Sequence, residues 1–337
     1  MKDILHKLSE RENLTAQEMY SCMEDIVEGR ATDAQIGAFI MGTRMKGETV
    51  EEIVGAVRFF RERATKVEVR DPHHLVDTAG TGGDMSGTFN VSTVTAFVLA
   101  GAGVKVAKHG NRSVSSRCGS ADLLEYLGAK IDLSPHQVSI LIEELGIGFM
   151  FAPLFHPAMK RVLGPRREVG IRSIFNLVGP LSNPAGAKRQ LVGVFSDSFV
   201  EKVAHTLREL GAVRAVVVHG KDGTDEVSVC APTLVAEVRQ DGVYLYEFVP
   251  EEMGIKRYPP EYIKVTSVEE SARTALSVLR GEVSPAYYMV LLNATFGLMV
   301  AGVTDDKKQA FQIAKESIHS GRAYEKLMKF IELTRKV

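Results

Sequence analysis

Three clusters of polar residues have the types and spacing to do chemistry. The first, DTAGTGGDMSGTFNVST at 77–93, sets Gly80, Gly82 and Gly83 ahead of Asp84 and the hydroxyls Ser86, Thr88, Ser92 and Thr93. Glycines let successive N–H groups turn toward one anion, and the start of the next helix adds partial positive charge, so the pattern suits a phosphate or diphosphate. A tight strand-to-helix turn would explain the glycines equally. Two familiar anion loops find no support: GxGxxG begun at Gly80 meets Met85, and a Walker A loop begun at Gly82 has Gly87 in register but Thr88 where lysine is required. Asp84 is repelled by phosphate unless it meets a sugar hydroxyl or a cation. A phosphorylated sugar satisfies both halves of the loop.

The second cluster, KVAKHGNRSVSSRCGSAD at 105–122, offers Lys108, His109, Asn111, Arg112 and several serines, with Gly110 and Gly119 as hinges. Lysine supplies a point charge for phosphate, and amides and hydroxyls supply further donors. A solvated surface loop would have the same composition. The third cluster, VVVHGKDGTDEVSV, puts Asp225 and Glu226 after a buried-strand pattern. Adjacent residues on a strand face opposite ways, so both carboxylates reach one site only from a loop, which Gly220 and Gly223 favour. Mg2+ is commonly held by one or two carboxylates with substrate phosphates and water, and such a pair provides that ligation. Acidic pairs in loops are also common without any ligand. The remaining histidines, with His73, His74 and His156 among them, show no metal-ligand spacing.

These clusters need strands and helices to hold them. Short apolar runs alternate with helical patterns from residue 72 onward: HLVDTAG, a helix from about 91 to 100, VKVAKHG, helices from about 120 to 127 and 134 to 145, then QLVGVFS, a helix and RAVVVHG. That alternation predicts an α/β fold, a mainly parallel sheet flanked by helices, with ligands at the carboxyl ends of its strands. Two alternating segments around Asp241-Gly242 predict an antiparallel hairpin on the sheet edge. Ahead of this, Thr15 with Glu18, Thr32 with Gln35 and Thr49 with Glu52 mark three helix starts of the reciprocal capping kind. The expected domains are a small all-helical one over 1–70, joined by helices from about 156–185, and a large α/β one over 71–155 and 186–337.

Composition bounds the function. A chain of 337 residues exceeds the ~250–300 at which one core stops growing, in keeping with two domains. The net charge of -1 gives no general attraction to nucleic acid or acidic lipid, so any anion site is local. Cys22, Cys118 and Cys230 are odd in number and widely spaced, which argues against a disulfide framework and for a reducing cytoplasm. No signal peptide is read at the start. The longest apolar run, 287–303, falls short of the ~18 residues that span a bilayer and contains Asn293 and Thr295, so a buried helix is expected.

The motifs GTGGD, NVST, KHGNRSVSS and the GIR…FN…GPL.NP run, in this order, resemble the anthranilate phosphoribosyltransferase family of the tryptophan branch over essentially the whole chain. The resemblance implies the two-domain fold shared with nucleoside phosphorylases, a homodimer joined through the helical parts, and transfer of phosphoribosyl from phosphoribosyl diphosphate to the amine of anthranilate. It implies a phosphoribosyl diphosphate site at Gly80, Gly83, Asp84, Thr88, Asn90, Val91, Ser92 and Thr93. That site continues through Lys108, His109, Gly110, Asn111, Arg112, Ser113, Val114, Ser115 and Ser116, with Ser120. Ser92, Asp225 and Glu226 are implied Mg2+ ligands. Asn111 and Arg166 are implied to hold anthranilate, with Gly80, His109, Met150 and Gly179 beside it. Arg167 rivals Arg166, and the GIR register at 170–172 favours Arg166. Cys118 stands where the family commonly has serine. No general base is implied, because an aryl amine is already neutral at pH 7.

Two other readings are weaker. A pyrimidine-nucleoside phosphorylase carries a lysine ahead of its glycine turn, where Thr78 and Ala79 stand here. A nucleic-acid-binding relative needs a basic face, which a net charge of -1 does not favour. The expected partners are therefore small substrates, with no nucleic acid and no membrane.

Overall fold

A computed structural model describes residues 1–82, 84, 86–113 and 118–337. Four helices open the chain: α1 (Lys2–Ser9), α2 (Ala16–Val27), α3 (Asp33–Lys46) and α4 (Val50–Arg63). The last three start at the anticipated boxes, where Thr15, Thr32 and Thr49 each accept from the backbone N–H three residues on. The Glu or Gln there returns the bond to the cap N–H. Each such cap stabilises its helix by about 1 kcal/mol. Helix α1 was not anticipated; the Met1 ammonium, 3.1 Å from Asp25 Oδ2, ties it to α2.

The sheet has seven strands: β1 (Val76–Gly80), β2 (Val106–Gly110), β3 (Ile147–Phe151), β4 (Arg189–Gly193), β5 (Arg214–Gly220), β6 (Thr233–Val238) and β7 (Val243–Phe248). Their spatial order is β3-β2-β1-β4-β5-β6-β7. The first five run parallel, and β6 and β7 form the expected antiparallel hairpin at the edge. Chain order reverses between β1 and β4, which opens a crevice at their carboxyl ends. Helices α5 (Val91–Gly101), α6 (Ser120–Tyr126) and α7 (Pro135–Leu145) make the crossovers on the β1 side. The segment after β3 leaves the sheet as α8 (Ala152–Phe155), α9 (Leu163–Val169) and α10 (Ile174–Leu181), and α11 (Val200–Glu209) links β4 to β5.

The sheet is apolar on both faces, as covered parallel strands must be. Leu191, Val216, Val218 and Val235 face a layer of α5 with α12 (Val268–Leu279), α13 (Pro285–Ala301), α14 (Lys307–His319) and α15 (Arg322–Thr334). Helix α13 is apolar on every side and almost wholly buried, the outcome expected for 287–303. Val192, Val194, Ala215, Val217 and Ala236 face the other way, into a core continuous with the N-terminal helices. Phe175 of α10 meets Phe39 of α3 and Phe60 of α4 edge-on, with ring centroids 6.4 and 6.3 Å apart. Arg61 crosses the same seam, donating to the carbonyls of Leu181 at 2.8 Å and Leu210 at 3.4 Å.

Candidate active site

The ends of β1 and β4 carry Gly80 and Gly193, and the Asp225 turn rests directly on them. A Cβ on Gly80 would stand 2.5 Å from Asp225 Oδ2, and one on Gly193 1.5 Å from the Asp225 carbonyl. Only glycine admits so close a backbone approach. Asp225 and Glu226 lie in the loop between β5 and β6, half-buried, so both can face one cavity. Asp225 Oδ2 accepts the N–H of Gly82, whose positive φ turns it inward, at 2.9 Å. Glu226 Oε1 accepts the N–H of Ser92 at 3.1 Å. Helix α5 has no side-chain cap from Asn90, so Glu226 serves that terminus. The glycine loop and the helix start thus both point amide donors at anionic oxygens.

Lys108 is the cation of this cavity. It is 3% exposed, and its Nζ donates to the Thr78 carbonyl at 2.5 Å and to Ser92 Oγ at 3.2 Å. Burial lowers its pKa, while the charges of Asp77, Glu226 and Asp225 oppose that fall. Burial raises the carboxyls of Asp225 and Glu226, and each is raised further by its acidic neighbours, Asp84 foremost for Asp225 and Asp225 for Glu226. Asp84 itself binds Ser86 and receives the Asp225 N–H at 3.4 Å. Asp84, Asp225 and Glu226, gathered beside Lys108, form a donor set suited to a divalent cation. Among the described residues no group of three or more acidic, histidine or cysteine side chains could hold a metal unaided. Substrate oxygens would complete the shell, as is usual for Mg2+.

Other residues expected here have internal partners. Asn90 donates from Nδ2 to the Cys118 carbonyl at 3.0 Å, and its Oδ1 accepts from Cys118 Sγ at 2.9 Å and Ser271 Oγ at 2.8 Å. The Cys118 thiol is thus a donor to Asn90. Val91 and Thr93 bury their side chains in the core, leaving Ser92 as the outward residue of that turn. Thr88 pairs with Lys264 in an isolated bridge. Arg112 is turned onto Asp122 at 3.0 Å and Glu125 at 2.7 Å, away from the Asp225 turn. Ser113 N–H also donates to Asp122 at 3.0 Å, and Ser120 Oγ donates to the Asn111 carbonyl at 3.2 Å. A Cβ on Gly110 would strike that Ser120 hydroxyl. Gly83, Val114, Ser115 and Ser116 lie outside the described residues.

The side of β2 that His109 faces is aromatic and cationic. The His109 ring stands 4.9 Å from that of His156, and burial, with His156 second, pushes its pKa down to about 3. The Gly179 backbone lies against it and favours the charged form. Burial pushes His156 down to about 4. Both rings are therefore neutral at pH 7. Arg166 is half-buried, 5.7 Å from the Phe175 ring centroid, with no carboxylate in ion-pair range among the described residues. Burial lowers its pKa. Arg167 is exposed, which favours Arg166 as the anion partner. Phe175 and Gly179 are one turn apart on α10, so Arg166 lies beside the helix face that Gly179 opens toward His109. Met150 is fully buried and in register with His109. An open cleft of about 500 Å3 lined by Val27, Asp33, Lys160, Arg161 and Pro165 contains none of these residues.

Residues 72–324 match the glycosyl transferase family a/b domain, and residues 2–64 match the helical bundle domain of the same family. An anthranilate phosphoribosyltransferase from Aquifex aeolicus is 62% identical over 337 residues, covering 100% of this chain and 99% of the relative. The chain belongs to the anthranilate phosphoribosyltransferase family. A second anthranilate phosphoribosyltransferase, from Persephonella marina, is 52% identical over 99% of both chains. The crystal structure of the Thermus thermophilus anthranilate phosphoribosyltransferase superposes with a TM-score of 0.92 at 42% identity, covering 99% of each chain. The Saccharomyces cerevisiae anthranilate phosphoribosyltransferase in complex with phosphoribosyl diphosphate and Mg gives 0.90 at 26% identity, covering 99% of this chain and 98% of that one.

Three residues of this anthranilate phosphoribosyltransferase fold escaped sequence reasoning. Asp77 and Asn183 join β1 to β2 from within the core, and Asn293 of α13 binds the backbone of Val227, next to Glu226. Each is a polar residue inside an apolar or Pro-Gly run, a signal that is visible but does not say what the side chain holds. His156, read as an ordinary histidine, belongs beside His109.

Proposed function

We propose that the chain transfers the phosphoribosyl group of phosphoribosyl diphosphate to the amine of anthranilate and releases diphosphate, a step of tryptophan biosynthesis. The observation that carries this reading is the convergence of the Gly82 and Ser92 amides, Lys108 and the Asp225-Glu226 pair at the β1/β4 crevice. Such a cavity grips an anionic sugar and tolerates acids only with a cation between them. Asp225, Glu226 and the Ser92 hydroxyl would hold Mg2+, which when bound neutralises charge on the diphosphate.

The C1–O bond to diphosphate breaks, the amine lone pair forms C1–N, and the amine proton leaves to solvent or to the departing diphosphate. Lys108 and the loop amides hold the anionic ends, and preorganised donors of this kind contribute about 3 kcal/mol each to lowering the barrier. The Arg166 fork pairs with the anthranilate carboxylate and Asn111 donates to it, while neutral His109 and open Gly179 shape the wall of the aromatic site. Holding the two reactants in line supplies on the order of 7–11 kcal/mol, so positioning outweighs acid–base work. Gly80, Gly83, Asp84, Thr88, Asn90, the stretch 108–116 and Ser120 complete the phosphosugar site in this reading.

The helices of 1–70 and about 156–185 form one unit in the same reading, supported by the Phe39–Phe175–Phe60 contacts. Two copies join through it, supported by exposed Met41 and Met45, one turn apart on α3. The three unbridged cysteines support a cytoplasmic location. Loss of anthranilate fluorescence with phosphoribosyl diphosphate and Mg2+ tests the activity. No loss there, with phosphorolysis of thymidine in a parallel assay, would overturn it in favour of a nucleoside phosphorylase.

A further inference from the structure

Strands β1 and β2 part above their first residue. Among the described residues they share register only at Val76–Val106, whereas β1 and β4 stay paired from Val76–Arg189 to Gly80–Gly193. A parallel ladder would turn alternate groups of β2 toward β1, and the Lys105 carbonyl does accept from Val76 N–H at 2.9 Å. The next such groups meet side chains instead. Asn183 Nδ2 donates to the Ala107 carbonyl at 2.8 Å, and His109 N–H donates to Asp77 Oδ1 at 3.1 Å. The circuit closes where Asn183 Nδ2 donates to Asp77 Oδ2 at 2.7 Å, while Asn183 Oδ1 accepts from Ala185 N–H at 2.9 Å. Asp77 is fully buried and Asn183 nearly so. Across the same gap, Lys108 Nζ reaches the Thr78 carbonyl.

A continued ladder would satisfy these groups with backbone alone, whereas a buried carboxylate carries a desolvation cost. What the side chains create is a gap in which an ammonium is held between two strand ends. We propose that Asp77 and Asn183 form a clasp that positions Lys108 and the end of β2 for the phosphosugar, without touching it. The clasp rests on the functional reading above. It makes Asp77 and Asn183 positioning residues for one substrate of two.

Asp77→Asn replaces one acceptor by an N–H2 group, which must oppose either the His109 N–H or Asn183 Nδ2. Asn183→Ala removes one bridge and leaves Asp77 on His109. In both variants the KM for phosphoribosyl diphosphate is expected to rise, ~10-fold in the first, with the KM for anthranilate moved less than ~2-fold. If Asp77→Asn does not fold, Asn183→Ala carries the test with a smaller rise of the same selectivity. A merely structural role lowers kcat with the folded fraction and leaves both KM values alone; that result, or equal rises in both, overturns the clasp. A wild-type chain without transfer activity sinks the functional reading instead. The clasp is then judged by calorimetric binding of phosphoribosyl diphosphate, where ~10-fold weaker binding by the variants supports it and equal binding overturns it.

Discussion

Asn293 holds Val227 by both sides of its peptide backbone: Oδ1 accepts the Val227 N–H at 3.0 Å, and Nδ2 donates to the Val227 carbonyl at 3.0 Å. The helix that carries Asn293 is anchored in the core, and Glu226 is the residue just before Val227. A buried amide therefore sets the height of the acidic pair above the sheet. Asn293→Leu leaves two backbone groups unpaired, so a loss of about 1–3 kcal/mol in urea unfolding is expected, together with a higher Mg2+ requirement for half-maximal turnover. A destabilised variant with an unchanged Mg2+ requirement would confine Asn293 to the fold.

Arg166 is desolvated and has no carboxylate partner among the described residues, which suits an incoming anion. Arg166→Ala should raise the KM for anthranilate by ~10-fold or more and that for phosphoribosyl diphosphate far less. Arg167→Ala, at an exposed position, should change neither by more than about 2-fold. Steady-state kinetics with each substrate varied decides between them.

Burial and Asp84 raise the proton affinity of Asp225, burial and Asp225 raise that of Glu226, and the pair shares the crevice with Lys108. Changing them to Asn and Gln should reduce kcat by ~100-fold or more and abolish the response to added Mg2+. A variant pair that still titrates with Mg2+ as the wild type does would remove both from the metal role.

Glu48, between α3 and α4, is 1% exposed, and neither carboxylate oxygen has a hydrogen-bond partner among the described residues. Burial raises its pKa, against the pull of Arg44 and Lys202. A group raised in the folded state contributes stability that is complete below its unfolded pKa and is lost as pH rises through the folded value. Glu48→Gln should therefore be more stable than the wild type at pH 7.5, by about 1 kcal/mol, and the advantage should vanish below about pH 4. Denaturant melts at the two pH values measure it; an advantage that persists in acid would contradict the charge argument.

Local rules carried much of this architecture. Three capping boxes located α2, α3 and α4, and the strand-helix rhythm with the Asp241-Gly242 turn located β1, β2, β4 and β5 and the edge hairpin. The glycine loop and Asp225-Glu226 were legible because close approach and paired charge leave marks in residue type. Arg112 shows the limit: nothing in its own stretch foretold that Asp122 and Glu125 meet it from the following helix, because that pairing is tertiary. Asp77, Asn183 and Asn293 were illegible for a related reason. Each binds a backbone group far off in the chain, 32, 76 and 66 residues away, and backbone carries no residue-specific signal.

The core that runs from Val217 and Ala236 into the N-terminal helices has a consequence for any attempt to take the molecule apart. A fragment beginning near residue 70 would keep α11 on its strands but emerge with the outer sides of α9, α10 and α11 uncovered, a greasy wall wide enough to seek another copy of itself. The front helices, freed, would lose the floor they stand on and the carbonyls that Arg61 grips. Neither half is a spare part, and the seam between them is where the chain would be least forgiving of surgery.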